Sequence, residues 1–363
     1  LPADATARTL ALARALVSAA RMYRPPPPRT AAWFEFRMRL KARRLQARAL
    51  WKGRELRCLR RRRWGRGEIL LFSTVRNEAA RLPWMLQHYR RLGVGHFLFI
   101  DNASDDGTRE FLLEQPDISV WGTSASYKAA RFGQDWITAL MLRHGLGHWC
   151  VQVDADELLI YPHWQTRPLP ALTAWLERSG QRSFAAMMLE LYPKGPLNAQ
   201  PYCPGTDPVA VLPWFDAGNY TLRHNPLLDC LLMQGGVRAR TFFGAMPNRA
   251  PTLTKLPLVK WGRDCVWVNS THSALPRALN RVYAADGGML ASGALLHTKF
   301  LHLVVERARV EKARGEHFGN APVFDDYYDA VMSAPDLWCA ASARYQGWRQ
   351  LERLGLISRG GWG

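Results

Sequence analysis

Between Glu68 and Tyr161 the chain alternates short, almost wholly apolar runs with longer stretches whose apolar residues recur at every third or fourth position. Glu68-Ile-Leu-Leu-Phe-Ser-Thr-Val75 reads as a buried strand, and Leu82, Met85, Leu86 and Tyr89 then follow at helical spacing. A second run, His96-Phe-Leu-Phe-Ile100, ends in Asp101-Asn-Ala-Ser-Asp105-Asp106-Gly107-Thr108. Such a corner suits a strand-to-helix turn, with the helix continuing through Phe111 and Leu112. Ile118 to Trp121, a helix from about Ala130 to Arg143, and Trp149 to Val153 complete the series. Strict alternation of strand and helix predicts an α/β fold with a mainly parallel sheet, covered on both faces, that binds ligands at the carboxyl ends of its strands. Arg76, Asp101 and Asp154 fall at those ends.

Beyond Tyr161 the pattern loosens. Proline-rich breaks at Tyr192 to Pro196 and Tyr202 to Pro208 predict long loops over the sheet. Ala185 to Tyr192 reads as an apolar strand interrupted by Glu190, and Gly293 to Leu301 as one interrupted by His297. Helical patterning returns through Val304 to Val310 and near Tyr327 to Met332, and the glycine-ended tail from Arg349 to Gly363 predicts a frayed terminus. No internal repeat is visible. The organisation expected is residues 1–66, 67–161, 162–303 and 304–363.

Charge changes the picture at the amino-terminal end. The chain carries a formal charge of +19, and from Phe36 to Arg66 nearly every second residue is Arg or Lys, ending in Arg60-Arg-Arg-Arg63. Phe36, Leu40, Ala47, Leu50, Trp51 and Cys58 share roughly one helical face, which predicts a basic amphipathic helix. It suits an anionic membrane surface. Nucleic acid, or simple packing on the following domain, are the alternatives. Pro25 to Pro28 reads as a stiff linker, set before by an Ala/Leu-rich helix over Ala5 to Tyr23. Arg8, Arg14 and Arg21 make that helix neither a signal peptide nor a span, and no run of about eighteen apolar residues occurs. Six cysteines without paired spacing argue for a reducing compartment and against zinc. At 48% apolar the 363 residues suffice for one large core and an appendage, and Trp214, Trp261 and Trp267 are placed to pack either on sugar or in that core.

The densest chemistry is Val153-Asp-Ala-Asp-Glu157, where an apolar run ends in three acids. On an extended backbone Asp154 and Asp156 point to the same side, so that one can hold a cation while the other binds something beside it. Taken with Thr74-Val-Arg-Asn-Glu78 and Phe99 to Thr108, in that order, this resembles the nucleotide-sugar half of a GT-A glycosyltransferase. The similarity is to the bacterial family 2 type, and more loosely to family 92. It covers Glu68 to Tyr161 well, and beyond it only smaller pieces: Gly235 to Arg238, Lys255 to Trp261, Ser270 to His272 and Leu295 to Phe300.

The resemblance implies a GT-A fold, Rossmann-like, with its nucleotide-sugar half at 67–161, its acceptor half at 162–303 and a basic helical extension before them. It implies Mn²⁺ or Mg²⁺ as cofactor, since hard oxygen ligands select such ions. Asp156 is the metal ligand, Asp154 the ribose or metal-water contact, Glu157 a group behind them, and His297 the distant ligand, with His272 as competitor and His302 farther from the pattern. Arg76, Glu78, Asp101, Asp105, Arg238 and Lys255 join Asp154 as nucleotide-sugar contacts, Lys260 and Lys299 being further phosphate candidates. Asp105 reads equally as a helix cap, and His297 equally as a structural histidine.

By the same analogy transfer is inverting and needs a carboxylate base. The acidic pair that family 2 enzymes use has no copy here, which leaves Glu190, Asp229 and Asp264 as alternatives. The partners implied are a nucleoside diphosphate sugar, UDP being the commonest in such families, and a glycan or glycolipid acceptor in bacterial surface polysaccharide synthesis. Nucleic acid is not expected, and the location implied is cytoplasmic with peripheral contact at the inner membrane. Two other classes stay open: an Asp-x-Asp phosphotransferase, disfavoured because Glu157-Leu158 stands where that chemistry wants a Gly-Thr turn, and a nucleic-acid binder acting through Arg60 to Arg63.

Overall fold

The computed structural model describes residues 28–281, 290–315 and 321–363. The expected helix over Ala5 to Tyr23 and the linker prolines 25–27 lie outside them. Helix α1 (Pro28–Lys52) leads into strand β1 (Arg57–Arg60), and then the predicted alternation begins: β2 (Leu70–Val75), α2 (Leu82–Arg91), β3 (His96–Asp101), α3 (Thr108–Glu114), β4 (Ile118–Gly122), α4 (Gln134–His144) and β5 (Trp149–Gln152). The second half supplies β6 (Glu157–Ile160), α5 (Leu169–Arg178), β7 (Ser183–Glu190), β8 (Trp214–Asp216), β9 (Thr221–Asn225), β10 (Cys230–Gln234) and α6 (Gly236–Phe242). β11 (Thr254–Lys260), β12 (Val266–Trp267), β13 (Ala274–Leu275), β14 (Ser292–His297), α7 (Val304–Arg314), α8 (Ala321–Met332), β15 (Ser342–Arg344) and α9 (Trp348–Arg353) follow.

Nine of these strands form one sheet in the order β1-β4-β3-β2-β5-β11-β7-β14-β6. β2, β3, β4, β5, β7 and β14 share one direction, while β1, β11 and β6 oppose it. The sheet is therefore mainly parallel, as expected. The two halves expected on either side of residue 161 share this sheet: β7, β11 and β14 from the second hydrogen-bond into the sheet of the first. Among the described residues before 67, β1 pairs with β4 and so belongs to the sheet as well.

The uninterrupted apolar runs have a simple cause. Leu71, Phe97 and Phe99 pack on one face of the sheet with Leu82, Met85, Leu86 and Tyr89 of α2. Leu70, Phe72, Leu98 and Ile100 pack on the other with Trp136, Ile137, Leu140 and Met141 of α4. A strand buried on both faces has no polar side to alternate with. The tail expected to fray does not: Trp362 is buried, its indole N–H donating to the Pro162 carbonyl at 2.9 Å and its ring lying 5.6 Å from that of Trp175.

Helix α2 fixes the start of β6, the strand that follows the acidic triplet. The Tyr89 hydroxyl donates to the Glu157 carbonyl at 2.9 Å and accepts from the Leu159 N–H at 3.0 Å. His88 Nε2 lies 2.8 Å from the Leu159 carbonyl, a contact that requires the proton on that nitrogen. Burial holds His88 neutral, lowering its pKa from 6.5 to about 4 against the Leu159 carbonyl. The unfolded chain thus binds this proton first, so the stability tied to His88 is complete above pH 6.5 and is lost as pH falls toward 4. In urea titrations the native chain is expected to lose about 3 kcal/mol over that range relative to His88→Gln, which keeps an N–H donor without the titration.

Candidate active site

The acidic triplet is not extended. β5 ends at Gln152, and Asp154 to Glu157 forms a turn closed by Glu157 N–H to the Asp154 carbonyl at 3.1 Å. This overturns the expectation that Asp154 and Asp156 point to one side. Their carboxylates diverge, Asp154 toward Lys255 Nζ at 3.1 Å and Asp156 toward His297 Nε2 at 3.3 Å. The turn is tied to the end of β14, because the Asp156 carbonyl accepts from both Thr298 N–H (2.7 Å) and its hydroxyl (3.0 Å). In the sheet, β14 lies between β6 and β7, so that His297 stands opposite Glu157 on one side and Glu190 on the other.

Lys255 is the hub of the first pair of carboxylates. It projects from the start of β11, is 6% exposed, and ion-pairs with both Asp154 and Glu157, the latter 1% exposed. Glu157 also accepts from the Asp154 N–H at 3.2 Å. Burial would lower the lysine's pKa, but Asp154 and Glu157 outweigh it and raise it. Lys255 is therefore held by the protein's own acids.

His297 is the hub of the second. Glu190 and Arg238 form a buried ion pair behind it, with Glu190 Oε1 3.6 Å from His297 Nδ1, a charge contact rather than a hydrogen bond. Arg238 reaches this position because the chain doubles back at Gly235, whose φ of +135° and approach to the Asn219 carbonyl leave no room for a side chain. Burial opposes the charge on each partner. For Asp156 it is outweighed by His297, Arg81 and Lys299, which hold the carboxyl well below its usual range. For His297 it is outweighed by Asp156 and Glu190, which raise the imidazole.

The other predicted residues separate into near and far. Arg76 at the end of β2 donates to the Asn102 carbonyl at 3.0 Å, and Asp101 is fully buried against Arg109 Nε at 2.8 Å. Asp105 is exposed and exchanges hydrogen bonds with Asn77, while Asp106, not Asp105, accepts from the Thr108 N–H at the start of α3. Glu78 pairs with Arg81 at 3.0 Å and Arg307 at 2.6 Å. His272 Nδ1 bonds the Thr254 carbonyl at 2.7 Å and His302 Nδ1 accepts from Tyr202 N–H at 3.0 Å, so neither joins the Asp156 pair.

Two candidate bases lie elsewhere in the fold. Lys260 closes β11 opposite Trp149 at the start of β5 and is bound to Glu177, and Asp264 lies four residues beyond it, bound to Arg182, so both are at the end of these strands away from the triplet. Asp229 sits in the β9–β10 turn, paired with His224 and Arg281. Of the three carboxylates only Glu190 belongs to the cluster.

Arg81 and Arg307 were not legible as site residues. Arg81 is buried at the start of α2, where the helix dipole disfavours a cation, and that misfit is the one signal the sequence offered. Arg307 comes from α7 and meets Glu78 and the Asn77 carbonyl only in the fold. Among the described residues no group of three or more His, Cys, Asp or Glu side chains is arranged to hold a metal. Of the residues expected to ligate an ion, Asp156 and His297 are in contact, while Asp154 is turned to Lys255.

No protein-family model matches this sequence, and no curated protein does. Among solved structures the chain is similar to a mannosyltransferase from Pyrobaculum calidifontis in complex with GDP-mannose and Mn²⁺, at 19% identity over 51% of this chain and 47% of that one, with a TM-score of 0.26. It is also similar to a 4-diphosphocytidyl-2C-methyl-D-erythritol synthase, at 14% identity over 36% of this chain and 64% of that one, with a TM-score of 0.24. Both matches span less than two thirds of the other protein's length.

Removing Lys255 strands a buried carboxylate. Lys255→Met is expected to destabilise the fold by about 3 kcal/mol in urea titration, and Glu157→Gln in the same chain to recover most of that loss. Equal stability of the single variant and the native chain would show that the pair is solvated.

Proposed function

We propose that this chain is a metal-dependent glycosyltransferase that moves a sugar from a nucleoside diphosphate sugar, UDP-linked by family resemblance, to a hydroxyl of a glycan or glycolipid. The observation that carries the reading is the convergence of Asp156 and His297 at the carboxyl edge of a mainly parallel sheet, with the cations Arg81, Lys299 and Arg307 placed to act on Asp156. Two protein donors fit an ion such as Mg²⁺ or Mn²⁺, which takes few protein ligands and completes its shell with substrate phosphates and water. Such an ion, when bound, supplies Lewis-acid neutralisation of the departing diphosphate.

The chain's own residues do the rest. Arg81, Lys299 and Arg307 offer charge-assisted donors to phosphate oxygens. Lys255 orients Asp154, the most exposed of the three acids, toward the ribose. Arg76 and Asp101, at the ends of neighbouring strands, form the wall for the nucleoside, and Asp105 lies at its rim. Glu190 is already neutralised by Arg238, and burial opposing its charge is outweighed by Arg238 and His297, which lower its pKa. We therefore assign Glu190 with Arg238 to positioning His297 rather than to taking the acceptor's proton. The loops at 192–213 overlie this edge and suit acceptor selection.

Calorimetric titration with UDP, GDP and CMP, each with and without Mn²⁺, tests the reading. One nucleotide is expected to bind in a Mn²⁺-dependent manner. Asp156→Asn should abolish that dependence, and Arg307→Gln should weaken binding about tenfold while leaving it metal-dependent. Nucleotide binding indifferent to Mn²⁺ and to Asp156→Asn would overturn the assignment.

A further inference from the structure

Helix α1 has two apolar faces, and only one is covered. Met38, Ala42 and Leu45 pack against Leu228, Val266 and Leu275, Ala49 is fully buried, and Arg48 Nε reaches the buried Asp135 of α4 at 2.8 Å. The helix is thus part of the folded body. The opposite face carries the residues whose spacing predicted amphipathicity, and it is bare: Trp33 is 61% exposed, Phe36 55%, Leu40 38%, Leu50 42% and Trp51 59%. These are five of the nine large exposed hydrophobic residues among the described residues, so the apolar surface is concentrated on one helix rather than scattered.

The charge around this stripe has one sign. Arg37, Arg39, Arg43, Arg44 and Arg54 are exposed beside it. Between residues 33 and 66 the chain holds fourteen of its 49 Lys and Arg but two of its 30 acids. Trp33 stacks on Phe36 with ring centroids 5.6 Å apart, and the Lys52 ammonium lies 5.2 Å from the Trp51 ring. Among the described residues no helix is long and apolar enough to cross a membrane.

We infer that the outer face of α1 docks in the plane of an anionic lipid surface, its aromatic and leucine side chains entering the headgroup boundary while the flanking arginines meet lipid phosphates. Tryptophans near both ends of the stripe lie about 27 Å apart along the helix axis, which matches a helix lying flat. Arginine and aromatic rings alone would equally serve a nucleic-acid strand through phosphate contact and base stacking. Leu40 and Leu50 decide between them, because an exposed aliphatic side chain gains nothing from a base or a phosphate and gains burial in a bilayer interface. The inference is independent of donor chemistry.

The test is flotation of the full chain with phosphatidylcholine vesicles containing or lacking phosphatidylglycerol. The chain is expected to float only with the anionic vesicles, and added salt to weaken the association. Trp33→Ser, Phe36→Ser and Leu40→Ser together should cut the bound fraction at least about tenfold with net charge and thermal midpoint unchanged, since these side chains leave the core untouched. Undiminished flotation of the triple variant would overturn the proposal. So would tight binding of single-stranded RNA lost in the same variant, or a native sedimentation mass of a dimer that the variant reduces to a monomer. Nucleotide titration of the triple variant separates this result from the site assignment, because donor binding should not change.

Discussion

A lysine buried between two carboxylates at a strand end sets the geometry of this site. Lys255 lies in β11, which runs against β5 and β7 in the middle of the sheet, and its ammonium is placed where the chain leaves β5 and enters β6. Glu157 cannot be ionised in that position without it, and Lys255 cannot be charged there without Glu157. Their mutual need pins the turn, and the turn in turn sends Asp154 outward and Asp156 across to β14. The divergence of the two aspartates thus follows from neutralising one buried acid.

The second layer repeats the logic one strand further on. His297 closes β14 with Asp156 in front and Glu190 behind, and Arg238 balances Glu190 from a helix that begins at a double glycine. Burial works against the charge of Asp156, Glu190 and His297, and for each it is outweighed by neighbours of opposite sign. Arg81, Lys299 and Arg307 add positive charge near Asp156. On the function proposed, this mixture of charges is what would receive a nucleoside diphosphate with its metal.

Helix α1 shows how the same residues can satisfy a sequence pattern in an unexpected sense. Phe36, Leu40, Leu50 and Trp51 do share a face, but the body of the protein is packed against the other one. The inner contact is made by Met38, Ala42 and Leu45 against Leu228, Val266 and Leu275, with Ala49 buried on the same side.

Local pattern was enough for the sheet of the first half. Buried strands read as continuous apolar runs, α2 reads from Leu82, Met85, Leu86 and Tyr89, and acids mark the ends of strands, because these features arise from neighbours in sequence. His297 and Asp156 were each legible as candidates for the same reason. What the sequence could not determine was partnership: that Asp154 belongs to Lys255, that Glu190 is spent on Arg238, that Asp229 and Asp264 are elsewhere, and that Arg307 reaches Glu78. Those pairings join residues from distant strands and helices, and a charged group's role depends on which opposite charge burial forces it to keep.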